Sequence, residues 1–225
     1  MSVHDGHRKR LKDEFLKTGL LNVPEHRALE LLLFYAIPQG DVNPLAHQLI
    51  ERFGSLAGVL DATEEELRRV PGIGEHTVVL LKLVPALCGR YLKSKTSSLQ
   101  YVTNTEEARA IFAPYFFGRR NEVICMACLD ASRRLLNVRI LSEGSSTGAE
   151  LTLRSVLEIA FSLNATTLIL AHNHTGGTAE PSAEDVDTTR ILSRKLFELG
   201  LYLQDHLIFA DETVTSMRQL GLLEI

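Results

Sequence analysis

The sequence predicts a mixed α/β domain preceded by a small all-α domain, because the spacing of apolar residues changes near the middle of the 225-residue chain. Up to about residue 92 the apolar residues recur every three or four positions, as in Leu29, Leu32 and Leu33, which is the period of amphipathic helices. Beyond residue 100, short apolar runs bounded by polar turns alternate with helical segments, which is typical of a mixed sheet with flanking helices. The segment between them is polar and has no apolar period. We therefore predict domains at 1–92 and 101–225, joined by a linker at 93–100.

Glycine and proline residues divide the first domain into about five short helices. The breaks fall at Pro24, Pro38–Gly40, Gly54 and Pro71–Gly74. At the last break, Gly72 and Gly74 join two helices in a tight turn, which exposes backbone N–H groups at a helix N-terminus, a natural binding point for phosphate. Two interpretations of this turn stay open, a contact with the DNA backbone and a packing motif in a helical bundle.

Elements of the second domain can be predicted in order. A helix near 105–112 precedes two strands, 123–129 and 135–141, which the polar turn AspAlaSerArgArg joins into a hairpin. Helical spacing follows at 152–163, a buried strand at 166–171, and a helix at 183–199 that Gly200 ends. Two short strands, near 202–209 and 214–217, complete the sheet.

The composition limits the classes of function. With 45% hydrophobic and 23% charged residues, the chain can fill one good core, or one core and a small satellite domain. No apolar run reaches the roughly 18 residues that a membrane span requires, and the start, MSVHDGHRKRLKDEF, is charged where a signal peptide is apolar. Three cysteines are too few for a disulfide framework. We expect a cytoplasmic protein without a membrane partner.

Charge argues against a dominant nucleic-acid binder. The net charge is -4, with 13 basic against 12 acidic residues up to Lys95 and 11 against 16 after it. Arg68, Arg69 and Lys82 would supply counter-charge near the glycine turn, while Glu75 and its acidic neighbours oppose it. Any contact of Gly72, Gly74 and Lys82 with DNA is therefore expected to be local and weak.

The stretch TLILAHNHTGGTAEPSAED, residues 167–185, contains the main candidate site. Side chains alternate along a strand, so His172 and His174 project to the same side if the extended conformation continues through three residues. The glycine loop permits a sharp redirection, and Ser182 then caps a helix with Asp185 at its third position. Two imidazole nitrogens, one carboxylate oxygen and a water would form the open four-coordinate sphere of a catalytic zinc.

Each residue of this stretch also has an ordinary interpretation. Ser-x-x-acid is a common capping arrangement, and histidines in polar loops are often only solvated. The joint spacing, His-x-His, seven residues, Ser, two residues, Asp, favours the metal site because four fixed positions rarely coincide by chance. This spacing resembles the JAMM metalloprotease motif, also called the MPN or Mov34 motif, at all four positions. HisAsnHis followed by a glycine loop and ProSer-x-x-Asp resembles in particular the RadC family.

The resemblance to the RadC family implies a fold, a cofactor and a reaction. It implies a cytidine-deaminase-like JAMM/MPN sheet after a helix-hairpin-helix region, which 51–76 resembles, and one Zn²⁺ per chain held by His172, His174 and Asp185. It further implies a glutamate about fifty residues before the first histidine, matched by Glu122, as general base. Ser182 would donate to the oxyanion while an amide or isopeptide bond of a peptide or protein substrate is hydrolysed.

Two departures from the family pattern leave these ligands intact. HisAsnHisThrGlyGly stands where the family usually has HisAsnHisProSerGly, and LeuArgSer at 153–155 stands where it has ProArgGlu. The pair Asp205 and His206 is similar to another family feature. His206 is interpreted as structural, or as a partner of Asp205 near the site, and not as a ligand.

Other interpretations stay open beside this one. The JAMM-like domain could be a scaffold in a DNA-associated repair or recombination accessory protein. A zinc nucleobase deaminase is disfavoured, because that class needs His-x-Glu and a later ProCys-x-x-Cys. Cys125 and Cys128 are three residues apart in a strand, so they point to opposite faces and are interpreted as core residues. Weaker candidates for the general base are Glu143, Glu150 and Glu158. His4 and His7 are expected to be solvated.

Overall fold

The computed structural model of the protein describes residues 3–96, 100–144, 153–211 and 213–223. By internal contacts the chain divides into two compact units, Met1–Leu87 and Cys88–Ile225. None of the helices within the described ranges is both long and apolar enough to cross a membrane.

The N-terminal unit is all-helical, as the sequence predicts. Among its described residues are the helices α1 (Val3–Thr18), α2 (Glu25–Ala36), α3 (Asn43–Phe53), α4 (Leu56–Asp61), α5 (Glu64–Arg68) and α6 (Glu75–Thr96). Six helices stand where about five were expected, because Thr63 begins a new helix. Its hydroxyl accepts a hydrogen bond from the Glu66 N–H, and the Glu66 carboxylate accepts one from the Thr63 N–H.

Helix α6 crosses the division between the units, which falls between Leu87 and Cys88, whereas the sequence predicted a linker at 93–100. Residues 93–96 continue α6, and 97–99 lie outside the described residues. Lys93 and Ser94 are exposed. An exposed helix end buries no apolar face, so its sequence does not need apolar residues at helical spacing. The polar composition of residues 93–96 is therefore compatible with a helix as well as with a linker.

A buried carboxylate in the N-terminal unit corrects one expectation. His7 was expected to be solvated, but its Nε2 lies 2.8 Å from Oε1 of Glu30, whose side chain is 1% exposed. The Asn43 amide donates to the other Glu30 oxygen at 3.0 Å. A buried carboxylate without partners is costly, so helices α1 and α3 each supply one. The side chain of His4 lies outside the described residues.

The C-terminal unit is the predicted mixed α/β domain. Its described elements are α7 (Thr105–Phe116), β1 (Glu122–Leu129), β2 (Leu135–Gly144), α8 (Leu153–Ser162), β3 (Thr167–Asn173), α9 (Ala183–Glu198), β4 (Tyr202–Ala210) and β5 (Thr213–Ser216). The strand order is β2-β1-β3-β4-β5, antiparallel except for the parallel pair β3 and β4, which α9 connects. The predicted hairpin of β1 and β2 is confirmed.

Helices cover both faces of this sheet. Phe112 of α7 packs with the odd-numbered residues of β1 and β3 on one face. Val156 of α8 and Leu192 of α9 pack with even-numbered residues of the same strands, such as Met126, on the other. Strand β3 is buried along nearly its whole length, so its carboxyl end is held from both sides of the sheet.

Neighbouring residues on α9 test this packing. Leu192 is 4% exposed within the core and Ile191 is 54% exposed. We expect Leu192→Ala to lower the free energy of unfolding by about 2–5 kcal/mol, because it leaves a cavity against the sheet. Ile191→Ala, the matched control, should change it by less than about 0.5 kcal/mol. Chemical denaturation measures both, and equal losses would contradict the orientation of α9.

Candidate metal centre

The carboxyl end of β3 brings His172 and His174 to one side of the sheet. The His174 N–H donates to the Phe209 carbonyl at 2.8 Å, so the extended conformation continues one residue beyond the strand. The Nε2 atoms of the two imidazoles lie 2.9 Å apart. His172 is almost buried and His174 is partly exposed, so the pair forms a site with one open side.

The first turn of α9 adds a carboxylate to this pair. Asp185 Oδ1 lies 3.4 Å from His172 Nε2, and Oδ2 lies 3.5 Å from His174 Nε2. Ser182 caps the helix: its N–H donates to Asp185 Oδ2 at 2.8 Å, and its hydroxyl donates to the same oxygen at 2.6 Å. The Asp185 N–H donates back to the Ser182 hydroxyl at 3.1 Å. The capping box therefore aims the carboxylate at the two histidines.

These three side chains fit a zinc ion. Each offers one ligand atom, and all these atoms lie within 4.8 Å of one another. A tetrahedral zinc with bonds of about 2.0–2.1 Å separates its ligand atoms by about 3.3 Å. The two imidazole Nε2 atoms are 2.9 Å apart, and each faces a different oxygen of Asp185, at 3.4 and 3.5 Å. His174 Nδ1 lies 2.8 Å from the Thr178 carbonyl, which can only accept, so Nδ1 carries the proton and Nε2 presents its lone pair toward His172.

His206 lies behind His172, a contact that the sequence analysis missed. Its Nε2 is 2.8 Å from His172 Nδ1, and its Nδ1 is 2.7 Å from the Thr189 hydroxyl of α9. The pairing of His206 with Leu170 puts its ring on the same face as His172. Asp205 does not contact that ring; it accepts hydrogen bonds from the His206 N–H, the Ser216 hydroxyl and the Arg218 N–H.

Burial controls the charges of the cluster. It lowers the pKa of His172 to about 4, although the neighbouring Asp185 acts in the opposite sense. Burial and the neighbouring His172 lower the pKa of His206 to about 3. Burial alone would raise the pKa of Asp185, but the hydrogen bonds from Ser182 and the nearby imidazoles outweigh it and lower that pKa. At neutral pH the neutral His172 imidazole thus lies beside the ionised Asp185 carboxylate, the forms in which these groups bind a divalent cation.

Glu122, the predicted general base, begins the strand next to the histidines. Ile124 pairs with His172 in the antiparallel ladder, and Glu122, two residues earlier in the same strand, lies on the same face of the sheet. Asn173 holds this strand start from the other side. Its Oδ1 accepts from the buried Val123 N–H at 2.7 Å, and its Nδ2 donates to the Asn121 carbonyl at 3.1 Å. The asparagine thus fixes the peptide groups on both sides of Glu122.

Ser182 differs from the sequence expectation in one respect. Its hydroxyl accepts from the helix as expected, but its proton points to Asp185 and not outward toward an oxyanion. A serine 2.6 Å from a carboxylate donates to that charge in preference to solvent, because the acceptor is anionic. In this conformation Ser182 is a positioning residue for the Asp185 carboxylate.

Weaker candidates for the general base have other partners. Glu143 pairs with Arg119, and Glu158 forms an ion pair with Arg154 at 2.8 Å along α8. Glu150 lies outside the described residues. Cys125 and Cys128 belong to the cores on opposite faces of the sheet, which confirms the interpretation of both as core residues. Burial raises the pKa of these thiols to about 12 and about 11.

Comparison with known proteins identifies the family. A family model described as a RadC-like JAB domain matches residues 102–222. The chain is also 34% identical over 217 residues to the UPF0758 protein SPO0054 of Ruegeria pomeroyi, a match that covers 96% of this chain and 97% of that protein. The chain belongs to the RadC family. The region matched by the RadC model contains Glu122, the histidine pair and the capping box, so the whole cluster lies within the matched domain.

The glycine turn of this RadC-family chain lies outside that matched region, and its basic side chains are already engaged. Lys82 Nζ donates to the Leu60 and Ala62 carbonyls at 3.1 and 2.9 Å, where α4 ends. Arg68 pairs with Glu75, and Arg69 with Glu65. Lys82, which is predicted to contact DNA, caps helix carbonyls, which attract a cation. The DNA contact remains a prediction. Gly72, at a φ of 90°, and Gly74 form the exposed turn as predicted.

The capping box makes Ser182 testable without a substrate. We expect Ser182→Ala to lower the free energy of unfolding by about 1 kcal/mol, because α9 loses its cap. It should also weaken metal binding, because Asp185 Oδ2 loses the hydroxyl donor that orients it and keeps only the main-chain N–H of residue 182. Ser182→Thr keeps the hydroxyl and should restore both properties. An alanine variant with unchanged zinc affinity in a competition titration would contradict this positioning role.

The lowered pKa values predict how the metal-free protein responds to acid. Unfolded histidines bind protons below about pH 6.5, whereas His172 and His206 in the fold bind them only near pH 4 and 3. The unfolded state therefore holds more protons between these limits, and stability falls as pH falls from 6.5 toward 4.5. The slope approaches about 1.4 kcal/mol per pH unit for each imidazole.

The variant His206→Gln isolates one half of this effect. It removes one of the two buried imidazoles, so denaturation in the presence of a chelator should show a shallower loss of stability between pH 6.5 and 4.5. Burial also raises the pKa of Asp205, which opposes the trend, but that residue is present in both proteins. Identical slopes for the two proteins would show that His206 does not stay neutral in the fold.

Proposed function

We propose that this RadC-family chain is a zinc-dependent hydrolase that cleaves an amide or isopeptide bond in a peptide or protein substrate. The observation that carries the proposal is the convergence of His172, His174 and Asp185, with the Nε2 lone pair of His174 facing the cluster and the carboxylate aimed by Ser182. Structural zinc sites use four protein ligands, while three ligands and an open side are typical of catalytic ones. Zinc bound there would lower the pKa of its water ligand toward about 7.

The residues around the cluster support a division of roles. Glu122 shares the face of His172, and we assign it to take a proton from the water and deliver it to the leaving nitrogen. Asn173 keeps this carboxylate in place by holding the peptide groups on either side of it. A general base must stay within hydrogen-bond reach of its proton donor, so this support at the strand start serves the reaction.

Ser182 has two roles in this proposal. It holds Asp185, and when its hydroxyl turns from the carboxylate it would donate to the oxygen that becomes negative in the tetrahedral intermediate. The loss of such a donor costs about 3 kcal/mol of barrier in other hydrolases. DNA binding is not part of the proposal, because Lys82, Arg68 and Arg69 are engaged within the N-terminal unit.

Metal content tests the first half of the proposal. The protein purified without chelators and supplied with zinc should contain about one ion per chain. His172→Ala and Asp185→Asn should lose it, because each removes one of three ligands. Glu158→Gln removes a carboxylate on α8 and should retain the ion as a matched control. Wild-type protein that stays free of zinc would overturn the proposal.

Hydrolysis tests the second half. We expect the loaded protein to cleave members of a library of quenched peptides and lysine-linked isopeptides. Glu122→Gln should retain zinc and lose activity by about 10²–10⁴-fold, because it cannot accept a proton. Glu143→Gln, at the paired end of β2, is the control and should stay active. If zinc-loaded Glu122→Gln cleaves as fast as the wild type, Glu122 is not the base.

A further inference from the structure

A chain of hydrogen bonds runs from the candidate metal centre into the core. The distances between its atoms do not decide which atom donates and which accepts at each contact. It passes from His174 to His172 at 2.9 Å, to His206 at 2.8 Å and to the Thr189 hydroxyl at 2.7 Å. His206 and Thr189 are 5% and 1% exposed, so water does not supply alternative partners easily. Each buried polar atom in such a chain must find its partner within it.

Only His174 has a fixed tautomer among the three histidines. Its Nδ1 faces a carbonyl, which accepts only, so this end of the chain always presents the Nε2 lone pair. Thr189 at the other end has a hydroxyl, which can donate or accept. His172 and His206 lie between them, and two complete arrangements of protons satisfy both.

In the first arrangement the donors point toward the surface. Thr189 donates to His206 Nδ1, His206 Nε2–H donates to His172 Nδ1, and His172 Nε2–H donates to the lone pair of His174. Every contact in the chain is satisfied without a metal. His172 cannot bind a cation in this state, because its Nε2 carries a proton.

In the second arrangement all the donors point inward. His172 Nδ1–H donates to His206 Nε2, His206 Nδ1–H donates to the Thr189 hydroxyl, and His172 Nε2 presents its lone pair beside that of His174. Two lone pairs facing each other at 2.9 Å repel unless a cation lies between them. The second arrangement is therefore the one that a metal ion favours.

We propose that His206 and Thr189 form a reversible tautomer relay that changes direction when the centre takes up its metal. The metal-free protein holds His172 and His206 as Nε2–H tautomers, and the metal-bound protein holds both as Nδ1–H tautomers. The number of protons on the three side chains is unchanged: each imidazole exchanges one N–H for the other, and the threonine hydroxyl rotates from donor to acceptor. This inference rests on the metal site of the proposed function.

Thr189 suits this role because of its place on α9. It lies four residues after Asp185, so it is on the same face of the helix, one turn further into the core. One helix thus supplies both a metal ligand and the hydroxyl that ends the relay. Thr189 and His206 touch neither metal nor substrate in this scheme, so we class both as positioning residues that act through His172.

Nuclear magnetic resonance of the imidazoles distinguishes the two proton arrangements directly. Two-bond ¹H–¹⁵N correlation spectra of the full chain, recorded near pH 7.5 with chelator and then with one equivalent of Zn²⁺, distinguish Nδ1–H from Nε2–H rings. We expect His172 and His206 to change tautomer between the two samples and His174 to remain Nδ1–H in both. Zinc binding without a change at His206 would overturn the relay while leaving the proposed function standing.

Substitutions at Thr189 test the same inference by affinity. Thr189→Val keeps the shape of the side chain but leaves the His206 Nδ1–H of the metal-bound state without an acceptor. We expect zinc affinity about tenfold weaker, in the lower part of the range for residues that orient metal ligands. Thr189→Ser should restore it. Thr188→Val makes the same chemical change at the exposed neighbouring position and should have no effect.

His206 provides a second comparison. His206→Leu removes the acceptor for His172 and should weaken zinc binding by about 10–100-fold. His206→Gln can turn its amide to donate or accept, so it should recover most of that loss. If the leucine variant does not fold, the zinc affinities of Thr189→Val and Thr189→Ser still test the relay. Equal zinc affinity for Thr189→Val, Thr188→Val and wild type would contradict the relay.

Discussion

The candidate site depends on the hydrogen bond from the His174 N–H to the Phe209 carbonyl, which keeps the chain extended past the end of β3. Extended backbone sends alternate side chains to opposite faces, so His172 and His174 stay together while Asn173 faces the other way. If the turn began one residue earlier, the two imidazoles would diverge and Asn173 would lose its bonds at the start of β1. One main-chain bond thus keeps both the metal ligands and the support of Glu122 in register.

The electrostatics of the site follow from the same arrangement. Burial keeps His172 and His206 neutral, and the N-terminus of α9, with the capping box of Ser182, favours the ionised form of Asp185. A neutral imidazole at His172 and an anion at Asp185 are suited to a dication, and the partial exposure of His174 leaves one side of the cluster open. The core on both faces of β3 provides the rigidity that such a constellation needs.

Much of the fold and of the candidate metal centre could be predicted from the sequence, because the patterns that indicate them involve residues close together in the chain. Alternating and helical spacing predict the described strands and the helices α7, α8 and α9 of the C-terminal unit, and the joint spacing of His172, His174, Ser182 and Asp185 predicts that they converge. Thr189 and His206 escaped prediction, since a contact between a helix and a strand 17 residues apart depends on packing. The capping contacts of Lys82 escaped prediction for a similar reason: the carbonyls that it caps lie 20 and 22 residues away, and no local pattern reveals them.

An experimental crystal structure of the zinc-supplied protein, with anomalous diffraction recorded on both sides of the zinc absorption edge, tests the central claim most directly. The account predicts one anomalous peak per chain, about 2.0–2.1 Å from the Nε2 atoms of His172 and His174 and at a similar distance from an Asp185 oxygen, with Glu122 facing the open position. A cluster without a peak, or a peak held by other residues, would contradict it.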